Sequence, residues 1–188
     1  MNAPTPPSPT ADVSVRVAWT DDAEAITAVQ VDTWPEMYGH LVPAAALPDD
    51  RAAVADQWRN LLARPADARQ RVLVALERNR VVGFVLTGPA GDPDSEPVAD
   101  GEMSELTVAP AERGKGHASR LLQAAIDTLQ ADRFTRATTW SIATDDALRG
   151  FLSEAGWAPD GAFRELDLDG SGSVRVKQVR LHTDISAH

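Results

Sequence analysis

The segment VAPAERGKGHASRLL, residues 108–122, places two glycines and two basic residues between an apolar strand-like run and an apolar run of helical period. Residue types in that order suit the capture of an anion. A helix leaves its first backbone N–H groups without intrahelical partners, and its peptide dipoles put partial positive charge at the same end. Such an end holds a phosphate without help from side chains. Gly114 and Gly116 carry no Cβ to block the approach of a pyrophosphate, and Arg113 and Lys115 add charge around it. Two common nucleotide loops are excluded by spacing. No GxxxxGK[ST] pattern runs through the segment, and the three glycines of GxGxxG are missing, so ATP and NAD both lose ground.

Positioning that turn needs a strand before it and a helix after it. Glu102 to Ala109 reads as the strand, and Ala118, Leu121, Leu122, Ala125, Ile126 and Leu129 trace one helical face. Nearer the start, Val13 to Ala18 alternates valine with polar or small residues, as a half-buried strand does. Thr20, followed by Asp21 and Asp22, caps a helix that should end near Trp34, because Pro35 disfavours helical geometry in the residue before it. Asp49 and Asp50 open a second helix, with Val54, Trp58, Leu61 and Leu62 on one face, that ends near Pro65. Arg71 to Arg78 and Arg80 to Thr87 form a hairpin around Asn79. The segment GPAGDPDSEPVAD, residues 88–100, reads as a loop and as the best candidate for a mobile flap. Thr138 to Ile142 is a strand, and Thr144 caps a helix carrying Leu148, Phe151, Leu152 and Ala155 that Gly156 ends. Phe163 to Leu168 and Val174 to His182 flank DGSGS as a terminal hairpin. The order β α α β β β α β α β β predicts an α/β fold with a mixed central sheet flanked by helices.

A chain of 188 residues with 43% hydrophobic content predicts one domain, residues 12–188, behind a Pro-rich and disordered arm, residues 1–11. The net charge of -10 argues against nucleic acid as a partner and suits a cationic or neutral one. The absence of cysteine excludes disulfides, thiolate metal sites and a cysteine nucleophile. The arm has neither the basic nor the apolar region of a secretory signal, and no apolar run approaches the length of a membrane span. A cytoplasmic protein without a membrane partner is expected. His40, His182 and His188 show no metal-ligand spacing with carboxylates, so no metal is expected.

The run Arg113-Gly114-Lys115-Gly116-His117-Ala118 resembles the [QR]xxGx[GA] motif of the GNAT superfamily of N-acetyltransferases, in which those residues wrap the pyrophosphate of acetyl-CoA. The flanks extend the likeness over residues 12–184. ELTVAP resembles the family's strand 4 and the turn after it, and TDDALRGFLSEAGWAPDG resembles its second motif, a helix ending in a Gly-aromatic pair. WPEMYGHLVP resembles its first helical segment and the following loop. The resemblance implies the GNAT fold, with a mostly antiparallel sheet. It also implies transfer of an acetyl group from acetyl-CoA to a primary amine, on a small molecule or a protein, by direct attack in a ternary complex. Leu106, Thr107 and Val108 would pair with the pantetheine arm as an added strand does, and an N–H near Val108 would stabilise the thioester oxygen. Arg113, Gly114, Lys115, Gly116, His117, Ala118 and Ser119 would form the phosphate turn, and Asp145 stands where many members have Asn. The resemblance adds acetyl-CoA as co-substrate and no metal, and by analogy it makes a homodimer the expectation.

An alkylammonium must lose a proton before it attacks, so a general base is useful. Glu102 lies eleven positions before Arg113, the spacing at which some family members carry a catalytic glutamate, and is the first candidate. Asp100 points to the same side of the strand and is the reserve. Glu105 has the opposite parity and faces away unless a bulge intervenes. Asp100 and Glu102 read equally well as solvated acids at the start of a strand. Phe151-Leu152 stands where the family has Phe-Tyr, so the usual acid for the departing thiolate is missing, and Tyr38 is the only tyrosine in the chain. That gap supports a second reading, a GNAT-fold module that binds CoA or acyl-CoA with little or no turnover. Trp34 and Tyr38 are candidates for the acceptor pocket, although aromatics four apart on a helix more often pack. Trp140 and Trp157 read as core.

Overall fold

A computed structural model describes residues 12–43, 47–168 and 170–186. The expectations for the arm at residues 1–11 and for His188 lie outside them. Eleven elements follow in the order β1 (Val13–Val17), α1 (Ala23–Tyr38), α2 (Arg51–Ala63), β2 (Arg71–Glu77), β3 (Arg80–Pro89), β4 (Asp100–Val108), α3 (His117–Ala131), β5 (Arg136–Ile142), α4 (Asp146–Glu154), β6 (Ala158–Asp167) and β7 (Arg175–Asp184). This is the order expected from the sequence. The strands form one seven-stranded sheet, β1-β2-β3-β4-β5-β7-β6. Every neighbouring pair is antiparallel except β4 and β5, which helix α3 connects and which run parallel.

Both faces of the sheet are covered, which explains why β2 reads as the unbroken apolar run Val-Leu-Val-Ala-Leu rather than as an alternation. Leu73 and Ala75 join Val82, Val85 and Met103 under Leu121, Ala125 and Leu129 of α3 and Leu152 of α4. Val72 and Val74 meet Ile26 and Val29 of α1 and Val54 and Trp58 of α2 on the other face, with Phe84 between them. Trp58 meets the Phe84 ring edge-on at 5.1 Å and donates its indole N–H to Gln30 Oε1 at 2.8 Å. The β2–β3 hairpin turns through Arg78 and Asn79, both left-handed with φ of 50° and 64°, as a two-residue connection of twisted strands requires. Trp157 is buried in the core as expected.

Several local readings change. Helix α1 continues through Pro35 to Tyr38 instead of stopping at Trp34, and the N–H of Gly39 closes its last turn on the Pro35 carbonyl at 2.9 Å. A proline so near the end forfeits a single helical hydrogen bond, and Val29, Thr33 and their neighbours hold the turn against the sheet. The cap of α4 is Asp145, whose Oδ1 accepts from the Leu148 N–H at 3.0 Å, and not Thr144. Strands β5 and β6 begin earlier than their sequences suggest, because the β7 ladder reaches Arg136 on one side and Ala158 on the other. Among the described residues no helix is long and apolar enough to cross a membrane.

The connection between β3 and β4, expected to be a free flap, is tied to the sheet. Arg180 of β7 is buried and clamps Asp94 through two bonds of 2.7 and 2.6 Å. Its Nε donates to Asp160 at 2.7 Å and its Nη1 to Asp92 at 3.3 Å. Trp140, expected in the core, is half-buried and belongs to the same cluster. Arg164 covers its ring at 4.3 Å, and its indole N–H reaches Asp92 at 3.1 Å.

Replacing Arg180 with Met leaves three carboxylates without their shared cation, and it should cost about 3 kcal/mol or more in urea denaturation. Faster proteolysis or amide exchange in residues 90–99 should accompany the loss; unchanged exchange there would refute the clamp. Arg180 holds the Asp94 carboxyl down to about 2, against an ordinary 3.8. A depressed folded-state value means that this tie is complete above the ordinary value and weakens as pH falls toward 2.

Candidate active site

The site begins with a break in the ladders of β4. On one side β4 pairs with β3 from Gly101 to Val108. On the other it pairs with β5 only at Asp100, Gly101 and Glu102, after which the two strands part. The β5-facing edge beyond Glu102 therefore has no ladder partner. Within that stretch the register to β3 shifts: Phe84 faces Thr107, whereas Leu86 faces Ser104. Glu105 and Leu106 together oppose Val85, which is a β-bulge. Glu105 takes the left-handed conformation with φ 56°. For a residue with a side chain that costs on the order of 1 kcal/mol or more. The bulge resets the parity, so that Met103 and Leu106 both pack toward α3 although they are three apart. The charge of Glu105 helps raise the phenol of Tyr38 in α1 above its ordinary range, after burial as the larger cause. The condition under which Glu105 would face away is therefore not met.

The parting strands open a cleft of about 680 Å³. Leu106, Thr107 and Val108 form one wall, and Ile142, Thr144, Asp145, Leu148 and Phe151 form the other. Arg113, Gly114, Gly116, His117, Ala118 and Ser119 close its end, and Thr33, Glu36, Met37 and His40 cover it from α1 and the residues just after it. Of the residues expected around the anion, only Lys115 is not in the lining. Gly116 is the N-cap of α3, left-handed with φ 80°, and no side chain caps the helix. Gly114 is left-handed too, with φ 75°, and a Cβ there would project into open space. A Cβ on Gly116 would stand 3.2 Å from Arg120. These features leave an uncapped helix start with its backbone accessible from the cleft, which fits a phosphate group.

Side-chain charge in the turn is directed differently from the expectation. Arg113 bridges to Glu36 of α1 at 2.6 Å, and Lys115 turns to Glu112 at 2.6 Å. Glu112 is buried and also holds Arg80 at 2.6 Å. With Lys115 as the larger cause and Arg80 as the second, its carboxyl is held down to about 2. His117, at the first position of α3, is buried, with Nε2 3.2 Å from Glu77 Oε2. Its Nδ1 has no partner among the described residues. Glu77, Glu112 and His117 bring ligand-type atoms within 4.8 Å of one another. The Lys115 ammonium, 2.6 Å from Glu112 and 3.9 Å from Glu77, already supplies positive charge at that place.

The other expected site residues separate clearly. Asp100 is buried and takes hydrogen bonds from the Glu96 N–H at 2.9 Å and from Arg136 at 3.3 Å, so its oxygens serve the β3–β4 connection. Glu102 is half-buried near Asp92, Arg164 and Arg180; burial first, then the charge of Asp92, raises its carboxyl. Asp145 lines the cleft while its side chain caps α4. Leu152 has no exposure and belongs to the core, so Phe151, one residue earlier, is what α4 presents there. Trp34 lies against a second hollow with Pro35, Leu47 and Pro48, outside the cleft. The lining residues that sequence reasoning missed include, on the α1 side, Thr33, Glu36, Met37 and His40, and on the far wall Ile142, Leu148 and Phe151. For Glu36 and Met37 the signal was the continuation of α1 past Pro35, which carries them over the cleft.

A mostly antiparallel sheet that opens at its one parallel pair, with an uncapped glycine turn at the end of the opening, defines a fold of the N-acetyltransferase type. The chain belongs to the acetyltransferase (GNAT) family, whose sequence profile matches residues 26–157. Solved structures agree in fold. Ribosomal-protein-alanine N-acetyltransferase from Brucella melitensis has a TM-score of 0.70 at 20% identity, over 91% of this chain and 99% of its own. An N-acetyltransferase from Staphylococcus aureus Mu50 has a TM-score of 0.69 at 18% identity, over 94% and 100%. PaiA N-acetyltransferase from Thermoplasma acidophilum, in complex with coenzyme A, has a TM-score of 0.68 at 12% identity, over 92% and 98%. No curated protein matches the sequence.

The cluster beneath the turn has a pH signature. Because the Glu112 carboxyl sits at about 2 instead of 4.5, its contribution to stability is complete above 4.5 and disappears as pH falls toward 2. Glu112→Gln should therefore be less stable than wild type at pH 7, and the gap in urea midpoints should close across that window. A gap that persists unchanged at pH 2 would rule out the charge as its source.

Proposed function

We propose that the protein transfers an acetyl group from acetyl-CoA to a primary amine, on a small molecule or a protein, by direct attack in a ternary complex. The observation that carries this reading is the meeting, in one cleft, of the uncapped start of α3 with the unpaired edge of β4. A coenzyme A thioester has the matching shape, with a pyrophosphate for the helix start and an amide-bearing arm for the strand edge. Backbone N–H groups of the turn would hold the pyrophosphate, with Arg113 available once it leaves Glu36. Leu106 to Val108 would take the pantetheine arm by strand addition, and an N–H near Val108 would meet charge developing on the thioester oxygen. Most of the rate would then come from holding amine and thioester in line. Family membership supports the reading, as does the coenzyme A held by the Thermoplasma structure.

A base must free the amine, and a carboxyl above its ordinary range suits that task near neutral pH. Glu102 and Glu105 both meet this requirement. The net charge of -10 favours a cationic or neutral acceptor over an acidic one. The second reading, a module that binds acyl-CoA with little turnover, is favoured by one observation. Leu152, where the family's tyrosine acid is expected, is an apolar side chain sealed in the core.

Calorimetric titration with acetyl-CoA tests the reading. Wild type should bind with a Kd on the order of micromolar, about -8 kcal/mol. Gly116→Glu, which puts a side chain and a negative charge into the turn, should bind at least about tenfold more weakly. Absence of binding by folded wild type would refute the reading. Glu36→Gln should bind about twofold to fivefold more tightly, because it releases Arg113 from an exposed ion pair of ordinary strength. Release of CoA across an amine panel then separates the enzyme from the module.

A further inference from the structure

The glycine turn rests on a polar cluster that the phosphate reading does not use. We propose that Glu77, Glu112 and His117 form a site for a divalent transition ion of the zinc class, and that the ion takes the place held by the Lys115 ammonium and frees Lys115 for the turn. The site is independent of the acetyltransferase reading; the use made of the freed Lys115 rests on it.

Three segments of the chain supply the donors. Glu77 ends β2, Glu112 precedes the turn and His117 opens α3. Their ligand-type atoms lie within 4.8 Å of one another, and His117 Nε2 stands 3.2 Å from Glu77 Oε2. Two ligand atoms on one tetrahedral zinc ion are about 3.3 Å apart, given bonds of about 2.0–2.1 Å. Arg80 holds Glu112 Oε1 at 2.6 Å, whereas Oε2 faces Lys115 at 2.6 Å. To admit an ion, only Lys115 has to leave.

The imidazole makes this more than a group of acids. His117 is 2% exposed, and its Nδ1 has no partner among the described residues. No second hydrogen bond therefore ties the ring to one tautomer. With the proton on Nδ1, Nε2 offers its lone pair beside Glu77. One imidazole with two carboxylates and no thiolate suits zinc-class ions, whereas magnesium and calcium favour oxygen ligands alone.

Lys115 is a replaceable counter-ion. Its side chain is 49% exposed, against 8% for that of Glu112, and Gly114 and Gly116 flank it. A divalent ion brings the two carboxylates one charge more than the ammonium does. The displaced ammonium stays within the turn, where it adds charge for an anion. Metal and anion then favour one another, and by linkage each raises the affinity for the other.

The test uses the full chain, stripped with EDTA and titrated calorimetrically with zinc chloride at pH 7. Wild type should bind one zinc ion per chain with a Kd on the order of micromolar. Glu77→Gln should weaken binding by at least about tenfold. Lys115→Met, which removes the competing ammonium, should tighten it by about tenfold. Both side chains are partly exposed, so neither change empties the core. In NMR of protein with isotope-labelled histidine, Nε2 of His117 should be the ring nitrogen that zinc shifts. Magnesium chloride should not bind at the same concentrations. Acetyl-CoA, chosen because free CoA carries a zinc-binding thiol, is then titrated with and without zinc. Zinc should tighten it by about threefold or more in wild type and not in Lys115→Met. The proposal is overturned by absence of zinc binding, by binding that neither variant alters, by a shift at another histidine instead of His117, by equal binding of magnesium, or by an acetyl-CoA affinity indifferent to zinc. Failure of wild type to bind acetyl-CoA overturns the acetyltransferase reading and the role of the freed Lys115, while the zinc titrations still decide the site.

Discussion

The structure depends on β4 belonging to two ladders that disagree. Its hydrogen bonds to β3 run from Gly101 to Val108, whereas its parallel pairing with β5 lasts only three residues. Strand β5 is held to β7 along its whole length, from Arg136 to Ile142. Each of the two central strands is thus committed to its outer neighbour, and the bulge at Glu105 adds twist to β4 where the two part. The sheet becomes two half-sheets that touch at one end and open at the other. Helix α3 leaves from the open end of β4 after a short turn, so its uncapped start must face the gap. The cleft and the bulge thus lie at the same stretch of β4, just beyond its last pair with β5.

At the phosphate turn the basic side chains are already paired. Near the turn, Arg113 and Lys115 are both neutralised by acids, so the positive potential offered to a ligand comes mainly from backbone N–H groups. Those groups are fixed by α3 and need little reorganisation when an anion arrives. The Arg113–Glu36 bridge joins α1 to the turn across the cleft and competes with a phosphate for the same guanidinium.

A second ion cluster does purely structural work. Arg180, Asp92, Asp94 and Asp160, with Arg164 over Trp140, bind the β3–β4 connection to β7 and β6. A stretch rich in Pro, Gly and Asp has little apolar surface to bury, so buried charge pairing takes the place of hydrophobic packing there. The same cluster borders Glu102 and gives that acid cationic neighbours which Glu105 does not have. Hydrophobic packing decides the matter on the far wall. Leu152 completes the core under α3, and the cleft receives Phe151 in its place.

By itself the sequence determined whatever depends on neighbours along the chain. Apolar period and breakers gave the order of elements, Arg78-Asn79 marked the hairpin, and the spacing of Arg113, Gly114, Gly116 and Ala118 marked the anion turn and the family. These follow from backbone sterics and helix-end electrostatics, which act over a few residues. Tertiary structure decided the rest. The bulge that redirects Glu105 lies in the β3 ladder just beyond the last β5 pair, and no local pattern around ELTV encodes it. The clamp on residues 90–99 comes from Arg180, more than 80 residues later. Asp100 became a structural acid and Trp34 fell outside the cleft because Arg136 and the Leu47–Pro48 segment stand beside them. Ladder register and ion pairing join residues far apart in the chain, so the identity of the partner appears only after the fold has closed.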